Sequence, residues 1–271
     1  MKIPSLKKTA ISTVALICSL SAGFASASES DPAAYELMQQ VKFRADGDSR
    51  KSDITMTLTS KDGFERVRHI TMLETDEGQD SKSMVYVSQP ADVAGTGVML
   101  HAYEEASDRD DDIWIYIPAM KKVKRLSSKN KRGRFVSSEM SFADLERLQL
   151  QDFRYQLDGN EVINGVSTAR ITGEAANDNT VFKTGYTRKV SWVDPARHLI
   201  IKEEYFDEQG HHIKTMSADT IELIDGFWTV TSLHVNNVQT GDVTQLKLNS
   251  IDYNLPVKDA QFSMVALKRG L

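Results

Sequence analysis

A run of eight basic side chains is the group in this sequence whose types and spacing most clearly suggest a binding chemistry. Residues 121–134 contain no acidic residue, although the whole chain carries a net charge of -5. Each Lys or Arg near an anionic membrane adds about 1 kcal/mol of attraction. We therefore predict docking on a membrane surface or a partner protein, the alternative being a solvated loop that keeps an acidic protein soluble. The eight residues are Lys121, Lys122, Lys124, Arg125, Lys129, Lys131, Arg132 and Arg134.

Apolar side chains flank the basic run on both sides. Before it, Trp114 and Tyr116 alternate with isoleucines, so both faces of this strand-like segment are apolar. Such a strand is either buried on both faces or has one face lining a lipid cavity, where Trp and Tyr supply large contact areas with polar tips. We predict that Trp114 and Tyr116, together with Met99, line such a cavity. The apolar residues after the run, which we predict to form a mobile lid, are Phe135, Met140, Phe142 and Leu145.

Catalytic and metal-binding motifs are absent from the sequence. It contains no HExxH, no GxSxG and no Gly-rich phosphate loop. His211 and His212 are adjacent, so in a strand they point to opposite faces and cannot share a metal ion. The acids between Glu104 and Asp112 lack the spacing and the glycine of an EF-hand, and we interpret them as a charged connection between strands. We therefore predict a protein that is not an enzyme and holds no metal or cofactor.

The first residues indicate export. Residues 2–8 contain three lysines, residues 10–24 are apolar, and residues 25–27 are small, as at a signal-peptide cleavage site. We predict a signal peptide over residues 1–27, cleaved after Ala27, and a periplasmic protein. Its only cysteine, Cys18, lies in the apolar segment, so the exported chain would contain no disulfide. Loss of three lysines leaves 30 basic against 38 acidic residues, a charge of -8, which with export argues against nucleic-acid binding.

The remaining chain has the pattern of a mainly β protein. Helical spacing over residues 32–43 gives way from Asp53 onward to alternation with period two, and turn signals such as Asn164-Gly165 separate successive strands. A long antiparallel meander needs its apolar face covered, and only residues 142–150 offer a second helical pattern. We predict one domain over residues 28–271, a strongly curved and partly open barrel with two short helices plugging its concave side.

Several segments resemble the outer membrane lipoprotein-sorting protein family, exported relatives of the lipoprotein carrier LolA. The most specific is the block over residues 114–145; the others are residues 89–96, 112–119, 192–194, 205–210 and 262–270. The resemblance implies an unclosed antiparallel β half-barrel, as in LolA and LolB, in which a few short helices cover a concave apolar face that accepts acyl chains. The sequence departs from the family pattern at residues 97–100, where a bulkier residue is expected after Gly-Thr, and at Ser137-Ser138, where Gly-Ser is expected.

This resemblance also implies a function. We expect a periplasmic carrier or chaperone that binds a lipid or lipoprotein acyl chain during outer-membrane lipoprotein sorting or lipid transport. Members of the family are often associated with RND-type exporters, so an inner-membrane exporter is an expected partner, with transient contact to a membrane surface. The alternative is an accessory subunit of such an exporter that never holds lipid.

Overall fold

One antiparallel sheet of thirteen strands makes up most of the molecule. The computed structural model describes residues 29–107 and 109–270, so the signal peptide predicted over residues 1–27 lies outside the described residues. In chain order the strands are β1 (Ser49–Thr59), β2 (Glu65–Glu77), β3 (Asp80–Gln89), β4 (Gly97–Ala102), β5 (Asp112–Ile117), β6 (Lys122–Arg125), β7 (Phe153–Ile163), β8 (Val166–Ala175), β9 (Arg188–Asp194), β10 (Leu199–Phe206), β11 (His212–Ile224), β12 (Phe227–Asn237) and β13 (Val243–Tyr253).

The order of the strands in space shows that the sheet is open. It reads β6-β5-β4-β3-β2-β1-β13-β12-β11-β10-β9-β8-β7, so each half of the chain is a meander and the β1–β13 pair joins the two halves. The two edge strands, β6 and β7, follow one another in sequence, and within the described chain no ladder pairs them. The prediction of a mainly β, unclosed antiparallel half-barrel with short helices is confirmed.

Residues 126–152, which connect the two edge strands, cover the concave face of the sheet. We call them the lid segment and the face that they cover the inner face. Phe135 and Phe142 pack edge to face, with ring centroids 5.9 Å apart, in a cluster with Met56, Ile70 and Val98 from the strands below. The lid segment therefore fills the inner face of the first half of the sheet with its own side chains.

The helix predicted over residues 142–150 is wrong. The lid segment contains only 3-10 turns, two of them over Phe142–Leu145 and Leu150–Asp152. Ser141 and Asp144 form a capping box that starts the first turn, because each side chain accepts a hydrogen bond from the other residue's backbone N–H. Glu146 then takes an extended conformation, with ψ of 150°, which ends the turn before an α-helix can form.

Three α-helices lie within the described residues, and the sequence predicted only the first. Helix α1 (Pro32–Lys42) starts at the expected N-cap, Asp31, whose side chain accepts from the Ala33 amide. Helices α2 (Asp178–Thr184) and α3 (Met264–Arg269) are too short to show a helical period. Their capping residues were visible, since Asn177 and Ser263 each accept a hydrogen bond from the third helical amide. None of these helices is long and apolar enough to cross a membrane.

Helix α3 covers the opposite, outer face of the first half of the sheet. Leu267 and Phe262 pack there against Leu73, Met84 and Met99, whose positions alternate with those of the inner cluster. The chain approaches this face closely at Gly97, where an added Cβ would lie 2.9 Å from both the Cδ1 atom and the backbone oxygen of Leu267. The glycine after Gly-Thr is thus required by the helix above it.

We expect Leu267→Ala to lower the free energy of unfolding by about 2–5 kcal/mol, because the leucine is fully buried and its loss leaves a cavity under α3. Val265 is on the same helix and is 66% exposed, so Val265→Ala should change stability by less than about 0.5 kcal/mol. Urea unfolding followed by circular dichroism measures both variants. Equal effects of the two substitutions would show that α3 does not pack on the outer face.

Candidate functional site

A cavity of about 380 Å³ lies between the lid segment and the second half of the sheet. Strands β9 to β12 form its floor, Met140 and Ala143 of the lid segment lie above them, and Thr180 and Lys183 of α2 close one side. Its volume falls within the range of about 300–1,000 Å³ that is usual for small-molecule pockets. The cavity therefore offers room for a ligand under the lid segment, beside the part of the sheet that α1 covers.

The wall of the cavity is part apolar and part charged. The apolar part contains Met140, Phe153, Ile200, Met216 and Val235, contributed by the lid segment and four strands. Charged side chains of both signs line the rest, and most of the basic ones form ion pairs with acidic neighbours. A cavity of this composition can accommodate an alkyl chain on one side and a polar group on the other.

An ion pair between Lys214 of β11 and Asp144 of the lid segment crosses the cavity. Both side chains are 7% exposed, and the Asp144 carboxylate also accepts hydrogen bonds from the Ser141 amide at 2.6 Å and the Tyr186 hydroxyl at 2.8 Å. Burial alone would raise the pKa of Asp144, but Lys214 and the Ser141 amide outweigh it and hold that pKa below its ordinary value. The Asp144 carboxylate, which accepts hydrogen bonds from all three of these donors, thus holds the lid segment to the sheet.

A second buried ion pair joins two parts of the lid segment itself. Lys131 pairs with Glu146, and its ammonium also donates to the Asp111 carbonyl at 2.8 Å. Burial raises the pKa of Glu146 to about 7, although Lys131 opposes this shift. Glu146 therefore changes its charge close to neutral pH.

The structure divides the predicted basic run. Five of its side chains are exposed without any contact to the cavity, and Arg134 is exposed while pairing with Glu139 at 2.9 Å. Arg132 is half-buried and donates to the Val181 carbonyl at 2.8 Å. Lys131 is 2% exposed, so its inclusion in a docking surface was wrong, because Glu146 and Asp111 hold its ammonium inside the protein. The exposed five are Lys121, Lys122, Lys124, Arg125 and Lys129.

The predicted cavity residues do not line the cavity. Met99, Trp114 and Tyr116 lie on the outer face with the cluster under α3, whereas the lid segment covers the inner face. Residues one position apart in a strand point to opposite sides, so Ile113 and Ile115 face inward in their place. This part of the prediction is corrected: both faces of β5 are covered, each by a different part of the chain, and Trp114 and Tyr116 are partly buried.

The predicted lid residues lie on the inner face, in two different environments. Phe135 and Phe142 are buried in the inner cluster, and Leu145 packs against it. Only Met140 reaches the cavity. The sequence analysis did not identify the polar residues of the cavity, among them Lys189, Glu203, Tyr205 and Lys214. A usable signal was that Glu203 alternates with Ile201 and Tyr205 in β10, which places a charged residue on the buried face of that strand.

The histidine pair and the acidic cluster occupy ordinary structural positions. His211 is exposed beside Asp207, and His212 stacks on Phe206 with ring centroids 5.2 Å apart. Asp111 accepts a hydrogen bond from the Tyr103 amide at 3.0 Å, and Asp112 pairs with a basic residue of β6. Over residues 29–107 and 109–270, no three His, Cys, Asp or Glu side chains are grouped so as to hold a metal ion.

The raised pKa of Glu146 leads to a prediction about pH. The folded state holds this proton up to about pH 7, whereas the unfolded chain releases it near the ordinary value of 4.5. Between these values the folded state binds more protons, so the contribution of Glu146 to stability falls as pH rises through this window. We expect Glu146→Gln to remove that slope, worth about 1.4 kcal/mol for each unit of pKa difference.

The measurement is the midpoint of urea unfolding at several values between pH 5 and pH 8, a range set by this window. Glu222→Gln changes an exposed glutamate and is the matched control, which should keep the wild-type profile. Absolute stability of Glu146→Gln also reflects the lost partner of Lys131, so the comparison concerns the slope. An identical slope in wild type and Glu146→Gln would contradict the prediction.

Comparisons with known proteins agree with this architecture. A family model described only as an uncharacterized protein matches residues 79–269, which is more than half of the chain. No curated protein matches the sequence. Among solved structures, a domain from Vibrio parahaemolyticus described as an outer membrane lipoprotein-sorting protein superposes with a TM-score of 0.80 and 28% identity, over 88% of this chain and 99% of that one.

Two further structures extend the comparison. A DUF1329 family protein from Desulfovibrio piger has a TM-score of 0.80 and 28% identity, and the match covers 89% of this chain and 100% of that one. A LolA superfamily protein from Nitrosomonas europaea has a TM-score of 0.66 and 18% identity, over 88% of this chain and 100% of that one, and shows the shared fold. The open sheet, its lid segment and these matches together show that the chain belongs to a LolA/LolB-like family.

Proposed function

We propose that this protein is a periplasmic carrier or chaperone that shields the acyl chain of a lipid or lipoprotein in transit to the outer membrane. The observation that carries the proposal is the cavity of about 380 Å³ between the inner face and the lid segment. A related domain from Vibrio parahaemolyticus, 28% identical, is described as an outer membrane lipoprotein-sorting protein, which supports the same role. No covalent chemistry is needed for such a role.

Displacement of the lid segment would open apolar surface of the inner face to a ligand larger than the cavity itself. Phe135, Phe142 and Leu145 occupy the apolar surface of the first half of the sheet. Burying one such side chain contributes about 1.5–3 kcal/mol, and burying an acyl chain about 0.8 kcal/mol per CH₂. An acyl chain that displaces these side chains therefore replaces their contacts with contacts of similar free energy. The free-energy change for replacing the lid side chains by the acyl chain of the cargo is then close to zero, as a reversible carrier requires.

The hairpin formed by β5 and β6 is the surface that we propose for docking on an anionic membrane. Met120 lies at its tip with 61% of its side chain exposed, and Lys121, Lys122 and Lys124 follow it on the exposed surface. An apolar tip beside several cations suits the boundary between lipid headgroups and acyl chains. Docking there would bring the edge of the lid segment close to a membrane, because the lid segment begins where β6 ends.

The carrier function predicts that filling the cavity excludes the cargo. Met216 lines the cavity from β11, and Met216→Trp should reduce the bound lipid because the larger ring occupies the space of the chain. Leu223→Trp adds the same ring to the same strand at a position that is 58% exposed, and should leave lipid content unchanged. Each protein is purified without detergent, extracted with organic solvent and analysed by mass spectrometry, with far-UV circular dichroism as a check of folding.

Wild-type protein that contains no lipid, and takes up none from phospholipid vesicles, would contradict the carrier proposal. Equal lipid content in wild type and Met216→Trp would contradict the assignment of the cavity as the binding site.

Docking through the hairpin predicts binding that depends on charge and salt. Lys121→Glu, Lys122→Glu and Lys124→Glu together should weaken binding to vesicles that contain phosphatidylglycerol by about a hundredfold, since each lysine contributes about 1 kcal/mol. Lys51→Glu, Lys247→Glu and Lys268→Glu change the net charge equally at exposed positions outside the hairpin and form the control. Vesicle sedimentation at increasing NaCl measures both, because salt screens exposed charges. Wild-type binding that is insensitive to salt would exclude this docking mode.

A further inference from the structure

Lys189 differs from the other lysines that line the cavity. Its ammonium lies 5.1 Å from the ring centroid of Phe153, 5.6 Å from that of Tyr186 and 5.2 Å from that of Tyr205, all within reach of a cation–π interaction. Within the described residues it forms no hydrogen bond and no ion pair. An ammonium group carries three hydrogen-bond donors. Lys189 is part of the cavity wall, and its unused donors and positive charge are available to a ligand.

The other basic groups inside the cavity already have carboxylate partners. Lys183 pairs with an aspartate at 2.8 Å, and Lys131 and Lys214 form the buried pairs described above. Arg147 pairs with Asp76 at 3.0 Å. Arg109 is exposed at the rim and stacks on Tyr103. Lys189 is thus the half-buried basic side chain of the cavity that has no carboxylate partner within the described residues, so its ammonium can bind a ligand.

Two acidic groups near Lys189, Asp144 and Glu203, accept hydrogen bonds from protein donors. Asp144 accepts from Lys214, the Ser141 amide and the Tyr186 hydroxyl. Glu203, which is 6% exposed, accepts from the Ser191 hydroxyl at 2.8 Å. Glu203 and Lys189 come from neighbouring strands, but they do not form an ion pair. The Lys189 ammonium has hydrogen-bond donors that no acceptor uses within the described residues, and these match an anionic ligand group.

An apolar wall stands beside this cation. Met216, Val235, Ile200 and Met140 line the same cavity from β11, β12, β10 and the lid segment. We propose that the cavity binds an amphiphile with an anionic headgroup, and that Lys189 receives the headgroup while the alkyl chain lies along these four side chains. The proposal rests on the carrier function and specifies its cargo. The anion can be a carboxylate or a phosphate, since both accept hydrogen bonds from an ammonium.

The test compares three probes with the same alkyl chain, namely dodecanoate, dodecyl phosphate and dodecanol, in isothermal titration calorimetry. Wild-type protein should bind at least one of the two anionic probes about tenfold or more tightly than it binds dodecanol. A tenfold difference in affinity corresponds to about 1.4 kcal/mol, near the usual free energy of a hydrogen bond to a charged group. The anionic probe that binds more tightly identifies the carboxylate or the phosphate as the natural headgroup.

Variants assign the preference to Lys189. Lys189→Met should lose the tenfold preference and keep its affinity for dodecanol, whereas Lys189→Arg should retain the preference. Lys202→Met is the matched control, because Lys202 pairs with Glu204 outside the cavity at 2.7 Å and should not affect any probe.

The outcomes separate this proposal from the carrier function. Equal binding of all three probes to wild type, or an anion preference that survives in Lys189→Met, overturns the headgroup assignment while the carrier function stands. Absence of binding by every probe, in a protein that also takes up no vesicle lipid, overturns the carrier function itself.

Discussion

An open sheet leaves one apolar face and two edge strands exposed unless another part of the chain covers them. Here the lid segment, which connects β6 to β7, covers the inner face of the first half of the sheet. Helix α1 packs on the second half, and Ser30 and Asp31 hydrogen-bond to Tyr155 of the edge strand β7. Apolar packing of Phe135 and Phe142 supplies the driving force. The ion pair between Lys214 and Asp144 fixes the position of the lid segment on the sheet. It adds little net stability, because the cost of removing two charges from water offsets most of their attraction. The lid segment is therefore placed accurately without being held irreversibly.

The same carboxylate links the lid segment to the cavity. Asp144 belongs to the capping box that starts a lid turn, and it also accepts from Tyr186 and pairs with Lys214 on the cavity floor. Movement of the lid segment away from the sheet would separate Lys214 from its partner. Under the proposal for anionic cargo, an incoming headgroup near Lys189 would supply negative charge to the same region. Lid opening and headgroup binding would then be coupled through electrostatics rather than through shape alone.

The sequence predicted the elements of this fold better than their faces. Alternation with period two and turn dipeptides located the strands, since both signals are local. The choice between the two apolar faces of β5 was not available, because it depends on α3 arriving from residues 264–269 to cover Trp114 and Tyr116. Lys131 likewise resembles its basic neighbours in sequence, and only its contact with Glu146 distinguishes it. The cavity residues come from five strands and are joined by contacts that no local sequence pattern records.

Two covers on opposite faces of the same strands would keep the sheet folded if the lid segment were displaced. Strand β4 is buried along almost its entire length, with the inner cluster on one side and Leu267 of α3 on the other. Strand β13, in the middle of the sheet, alternates between partly buried and exposed positions and has no such double cover. Displacing the lid segment therefore uncovers only one face of the first half of the sheet, whose outer cluster remains intact. A sheet that is packed on its outer face can exchange the lid segment for an acyl chain on its inner face without unfolding. A carrier requires such an exchange.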